Sequence, residues 1–205
     1  MRYRLRFVSF CACLSLFAHS ARTQPQSARP VRAEGAFGSR GSAQAPITIL
    51  VFSDFESFPC ARSASVLAGI LGENRDVRLI FKHAPAATNP NALPAHEAAL
   101  AAGAQGKFWE MHDLLFENQA KLTRVDLLEY ANVLGLEQSA FQQALDNHTY
   151  RPIIERDLAG SKGLGVTSTP VFFVNGRRLV GPQGKPGTDE TFPRFCESSR
   201  SVKAR

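Results

Sequence analysis

The sequence predicts an α/β fold in which a small sheet is interrupted by a block of helices. Three observations carry this. A near-continuous apolar, β-branched run at 46–52 is followed by a helical pattern and then by a second apolar run at 77–81. The stretch from about 90 to 163 shows only helical periodicity. Apolar residues 171–174 then run into Asn175-Gly176, the dipeptide that most strongly marks a two-residue hairpin. With 205 residues, 44% of them hydrophobic, the chain is long enough for one domain with a real core and too apolar to be disordered.

Each element has its own local reason. Pro46 to Phe52 alternates too little to face water on one side, so it suits a central strand buried on both faces. Ser53 to Pro59 breaks the run, and a helix follows from Cys60 with Ala64, Leu67, Ala68 and Leu71 on one face. Val77 to Phe81 is the next strand. Strand–helix–strand normally means parallel strands joined by a right-handed crossover. Pro94 to Ala104 is an Ala-rich helix. Lys107 to Glu117 places Phe108, Met111, His112 and Leu115 on one side. Thr123-Arg124-Val125-Asp126 resembles a capping box with Asp in place of Glu, and Gly135 stops the helix that it opens. Two more helices run about 137–146 and 150–163. The chain returns to strands at Val171–Val174 and Arg177–Val180, and a short helix around Phe192, Phe195 and Cys196 is expected to end it. This order, βαβ, helices, ββα, is that of a thioredoxin-like sheet with a helical insertion.

Charge locates a leader. The net charge of +6 sits entirely in residues 1–45, which hold seven Arg and one acid, Glu34. Residues 46–205 hold 17 basic and 17 acidic side chains and are neutral, so electrostatics gives a nucleic-acid partner no support. Arg2, Arg4 and Arg6 precede an apolar stretch, Phe7 to Ala18, and small residues near 18–21 offer a cleavage site: the layout of a secretory signal peptide over 1–21. The apolar run is short for a bilayer, so no stable membrane span is expected after cleavage, and the location is periplasmic or secreted. Residues 22–45, rich in Gln, Pro, Ser, Arg and Gly, read as a flexible linker, which leaves the domain at 46–205.

Cleavage would remove Cys11 and Cys13 and leave Cys60 and Cys196 in an oxidising compartment. They are one disulfide or two thiols. Two thiols are expected, because few pairs of elements bring Cα atoms within about 7 Å. No cofactor is expected: no cysteines and histidines have zinc spacing, so there is no metal site, and the Gly/Pro-rich 181–187 segment lacks the context of a phosphate loop. His83 reads as a hydrogen-bonded loop histidine, and Trp109 and His112 as packing or interface groups.

Several ordered motifs resemble the DsbA-like thiol–disulfide oxidoreductases. They are Ser53-Asp54-Phe55-Glu56-Ser57-Phe58-Pro59-Cys60-Ala61-Arg62, Phe81-Lys82-His83-Ala84-Pro85, Asn89-Pro90-Asn91-Ala92, the 105–116 segment around Phe108-Trp109-Glu110-Met111-His112-Asp113, Gly165 to Pro170, and Phe172 to Gly176. The resemblance implies a thioredoxin-like fold with a helical subdomain, a client that is an extended peptide or a thiol-containing protein, and a cis bond at Thr169-Pro170 facing the active-site helix. Phe58, Pro59, Thr169 and Pro170 would line the client groove.

The departures bear on chemistry. The family carries Cys-x-x-Cys where strand meets helix, the first thiol attacking and the second resolving. Here Ser57 holds the first position and Cys60 the second. A hydroxyl forms no disulfide, so the two-thiol cycle cannot run within this motif. Many relatives also hold a buried acid six residues before the first cysteine; here it is Val51. Three functions follow from these residues: a weak or monothiol oxidoreductase using Cys60, a redox-inactive module that binds peptides or a partner, and a transferase that uses Ser57 to activate glutathione.

Overall fold

The computed structural model describes residues 37–179. The leader, the Cys60–Cys196 question, the 181–187 segment and the tail helix therefore lie outside the described residues. The elements in chain order are β1 (Ser39–Arg40), β2 (Ile47–Ser53), α1 (Phe58–Glu73), β3 (Val77–His83), α2 (Ala92–Ala104), α3 (Phe108–Glu117), α4 (Arg124–Val133), α5 (Gln138–Asp146), α6 (Arg151–Gly163), β4 (Val171–Val174) and β5 (Arg177–Leu179). The sheet order is β1-β3-β2-β4-β5. Only β2 and β3 are parallel; the other neighbours are antiparallel. This is the expected α/β thioredoxin-like arrangement, with α2–α6 between β3 and β4.

β2 is central and almost wholly buried, as its apolar run requires. Alternation sends Ile47, Ile49 and Val51 to the face covered by α1 and the helical block, and Leu50 and Phe52 to the face covered by α6. The main core lies on the first face, where Phe55, Met111, Leu115, Phe141 and Ile154 are fully buried. Phe108, Met111, His112 and Leu115 all face inward from α3. The Thr123 N–H donates to Asp126 Oδ2 at 2.9 Å, so the capping box forms. Asn175 and Gly176 have φ of 48° and 79°, the left-handed pair that a tight primed turn needs.

The structure differs from the sequence reading at three places. The stretch 22–45 reads as linker, yet Ser39 and Arg40 form β1 against Leu79 and Ile80. The Phe81 N–H also donates to the Gly38 carbonyl, and Trp109 Nε1 donates to the Ser39 carbonyl. Main-chain pairing of two residues leaves no hydrophobic period to read. Phe37 then packs so closely on Gly103 that a Cβ there would lie 2.7 Å from the Phe37 Cβ. β3 runs two residues further than its apolar stretch, through Lys82 and His83. His83 is thus a buried strand residue rather than a loop histidine. α1 begins at Phe58, two residues early, because Pro59 is tolerated in the first turn, where its missing N–H has no partner to lose.

Candidate functional site

The site forms where β2 ends. Asp54 to Ser57 turn the chain into α1, and Ser57 is the N-cap residue, with extended backbone. Its carbonyl accepts the N–H groups of Cys60 and Ala61, but its hydroxyl makes no capping hydrogen bond. The hydroxyl is left at the helix start, where the macrodipole favours negative charge. One turn on, Cys60 points inward and is 1% exposed, while Phe58 stands 68% exposed and Pro59 is exposed beside it.

β4 brings the second edge of the site. Phe52 pairs with Val171, so one further step of the antiparallel register sets Pro170 opposite Ser53, at the end of β2. The Thr169–Pro170 bond is cis. Pro170 is buried and Thr169 half-buried, and Thr167 and Ser168 before them are exposed. The register thus carries the 165–170 loop to the same end of the sheet as Ser57 and Phe58. Pro170 does not line the cavity that holds Cys60.

Beneath this rim lies a dense polar bed. Asp54 is fully buried. Its carboxylate accepts the N–H groups of Glu56 (2.9 Å) and Ala86 (2.9 Å) and the Asn89 side-chain amide (2.8 Å). The Asp54 N–H in turn points at Cys60 Sγ, 3.4 Å away. Glu56 binds the backbone and side-chain N–H groups of Asn91. Gln119 donates to the carbonyls of Phe55 and Ser57 at 2.7 and 2.9 Å, which ties the loop to the helical block. The turn is therefore fixed from both sides.

Three histidines pack around Phe55 and Phe81. His83 Nδ1 and His96 Nδ1 are 2.7 Å apart, so one ring donates to the other. If His83 donates, His96 carries its proton on Nε2, which faces Asp54 Oδ1 at 4.0 Å. The opposite choice would turn a lone pair on the carboxylate, so the first tautomer pair is the favourable one. Burial, then the Lys82 charge, then His112, pushes His83 down to about 3. Burial, followed by His83 and His112, holds His96 well below the usual imidazole range. Burial also lowers His112, against the hydrogen bond and charge of Asp113. All three rings are neutral at neutral pH.

On the opposite face of the sheet Lys82 reaches Asp157 of α6 at 2.9 Å, and Asp157 also accepts the His83 N–H. Sequence reading places Cys60, Ser57, Phe58, Pro59, Thr169 and Pro170 at the site. The structure brings Ser57, Phe58 and Pro59 together around the start of α1, and sheet register brings Thr169 and Pro170 to that end. It buries Cys60 behind them. Sequence reading did not find the Asp54 network, the His83–His96 pair or the Lys82–Asp157 bridge. The ionisable residues inside the two strand-end motifs, Asp54 and Lys82, were the available signal.

Among the described residues no three His, Cys, Asp or Glu side chains converge as a metal site, and no helix is long and apolar enough to cross a membrane.

A family model described as thioredoxin matches residues 37–195. Among solved structures, the chain is similar to a thioredoxin-like oxidoreductase from Silicibacter pomeroyi DSS-3, with a TM-score of 0.72 and 22% identity, over 82% of this chain and 94% of that one. It is also similar to the thiol-disulfide exchange protein alpha-DsbA2 from Wolbachia pipientis, with a TM-score of 0.70 and 16% identity, over 82% and 88% of the two chains. Its curated relatives include Na(+)/H(+) antiporter NhaA 1 of Salinispora arenicola (strain CNS-205), 40% identical over 143 residues, or 69% of this chain. The chain spans only 22% of that relative's length.

Proposed function

The chain belongs to the thioredoxin family, and from that premise we propose that it is an exported DsbA-like domain that holds extended, thiol-containing client chains without carrying out two-thiol exchange. The observation that supports this reading is the arrangement at the start of α1. The position from which a thiolate would attack is Ser57, whose hydroxyl makes no capping hydrogen bond, and the remaining thiol, Cys60, is 1% exposed behind it. A protein disulfide needs in-line access to the attacking sulfur. Cys60 offers no such access, while Phe58, Pro59 and the 165–170 loop offer a partly apolar edge to a peptide.

The cationic, then apolar, leader at 1–21 supports export to the periplasm or beyond. The relatives named as antiporters share about a fifth of their length with this chain, so ion transport is not carried over with the domain.

The test is oxidative refolding of a reduced client protein, wild type against Ser57→Cys. Wild type is expected to show no oxidase activity above background. The variant recreates Cys-Phe-Pro-Cys at a helix N-terminus, which favours the thiolate by about 1 kcal/mol, a several-fold change in ionisation. It is expected to gain activity, partial because Val51 supplies no buried acid. Equal activity in both proteins would refute the reading.

A further inference from the structure

The thiol closed to proteins is open on another side. A cavity of about 20 Å³ lies between α1, the end of β2 and α3. One water needs about 10–15 Å³ on this measure, so the cavity admits a guest of about two heavy atoms and no larger. Its polar lining includes Cys60, Ser53, His112 and Asp113, and its apolar lining includes Val51 and Leu67. Ser53 follows Val51 by two residues, so both side chains leave β2 on the α1 face. Ser53 is 3% exposed and lines the cavity, and no described side chain or backbone group is bonded to its hydroxyl, which is open to the cavity rather than sealed off from it. A hydroxyl that faces a cavity beside a thiol, with no protein partner, is placed to hydrogen-bond a small polar occupant. His112 is held by Asp113, whose Oδ1 lies 2.7 Å from Nδ1. The second ring nitrogen of His112, Nε2, is thereby left as the proton acceptor. Arg40 of β1 stacks over Trp109 and lies 3.8 Å from Asp113, which balances the charge beside the cavity.

We propose that Cys60, Ser53 and His112 form a buried thiol site for a small neutral hydroperoxide of the size of hydrogen peroxide. Cys60 and His112 line the same cavity without a direct hydrogen bond, so the peroxide between them relays the Cys60 proton to His112 Nε2 as the thiolate attacks one peroxide oxygen. An S–O bond forms as the O–O bond breaks; sulfur loses two electrons and the peroxide gains them. The proton held by His112 passes to the departing oxygen, which leaves as water. Cys60 becomes a sulfenic acid. Ser53 orients the peroxide through its hydroxyl. His112 stays neutral before the reaction, since burial lowers its pKa. The ionisable groups facing it are Cys60 on α1, Asp113 on its own helix, Arg40 on β1, His83 on β3 and His96 on α2. Because this reaction uses a route separate from the client edge, it stands or falls independently of client binding.

The experiment treats the reduced full chain with hydrogen peroxide or with cumene hydroperoxide at equal concentration. Oxidation is read as the one-oxygen mass increase of the Cys60 peptide across pH 5–9, with a urea-unfolded sample as reference. Native protein is expected to react with hydrogen peroxide at least about tenfold faster than with the bulky reagent, and unfolding is expected to abolish this preference. His112→Gln is expected to slow the native reaction by about a hundredfold or more, the lower end of the usual scale for losing a general base, and to change its pH profile. Ala64→Leu, which fills the cavity without touching its polar groups, is expected to suppress it too, and this arm decides if the histidine variant fails to fold. Equal rates with the two peroxides in native protein, no native oxidation where unfolded chain reacts, or a His112→Gln profile identical to wild type would each overturn the proposal.

Discussion

At the rim of the site the Ser57 hydroxyl makes no capping hydrogen bond and Phe58 and Pro59 stand in solvent; three residues before Ser57, Asp54 has no exposure and its carboxylate takes three donors. Below it the strand end is held by His83 against His96 on one face and Lys82 against Asp157 on the other. The difference separates a platform of buried polar contacts from an exposed rim. The Ser57 hydroxyl takes no part in these bed contacts. Replacing a bed residue strands a buried charge or donor. The bed is therefore expected to govern stability and the rim to govern what is bound.

The largest effect tests the bed. Asp157→Ala leaves the Lys82 ammonium, 8% exposed, without its partner and frees the His83 N–H. Removing one side of a buried pair costs about 3–5 kcal/mol, to be read by chemical denaturation. Adding Lys82→Met removes the stranded charge and is expected to recover most of the loss. If Asp157→Ala costs under about 1 kcal/mol, the bed does not carry the site as described.

Acid tests the other face of the bed. An unfolded histidine binds its proton below about 6.5, whereas burial holds folded His83 neutral down to about 3. Between these values the unfolded state binds more protons, so stability falls as pH falls through this window. The loss attributable to His83 is on the order of 4 kcal/mol by pH 3, and His96 acts in the same direction. A His83→Gln variant, whatever its stability at pH 7, is expected to show a visibly shallower decline of melting temperature from pH 7 to 4. An unchanged slope would show that the pair titrates as if exposed.

The contrast between rim and bed also separates what a sequence reader can see. β2, β3 and the hairpin were legible because apolar runs and Asn175-Gly176 are local signals. The Thr123–Asp126 box was legible for the same reason. The placement of Ser57 and Cys60 at the start of α1 and the cis bond before Pro170 were legible through the family resemblance. The bed was not. His96 sits in a helix whose sequence reads as an apolar Ala stretch, and its partner His83 lies thirteen residues back on another element. Lys82 looks like the polar end of a strand until α6 brings Asp157 to it, 75 residues later. β1 escaped because main-chain pairing at Ser39–Arg40 needs no particular side chain. Buried polar pairs are set by tertiary packing, which one-dimensional periodicity does not encode.

The smallest stability effect is expected at the rim, and it sharpens the comparison most. Phe58 is 68% exposed, and its ring has an Arg62 guanidinium 5.8 Å from its centroid. It contributes no fully buried surface to the core, so Phe58→Ala is expected to change stability by no more than about 0.5 kcal/mol, the usual range for an exposed position. Binding should behave otherwise. An exposed aromatic beside Pro59 is the group at this edge best able to bury apolar area against an extended peptide. Loss of such an anchor typically costs more than about 1 kcal/mol, so affinity for an unfolded, thiol-containing client peptide should drop by about fivefold or more. Calorimetric titration of one such peptide into both proteins, alongside thermal melts, reads the two quantities together. Equal affinities with unchanged stability would mean that Phe58 is a bystander, and the client edge would have to be sought at the 165–170 loop alone.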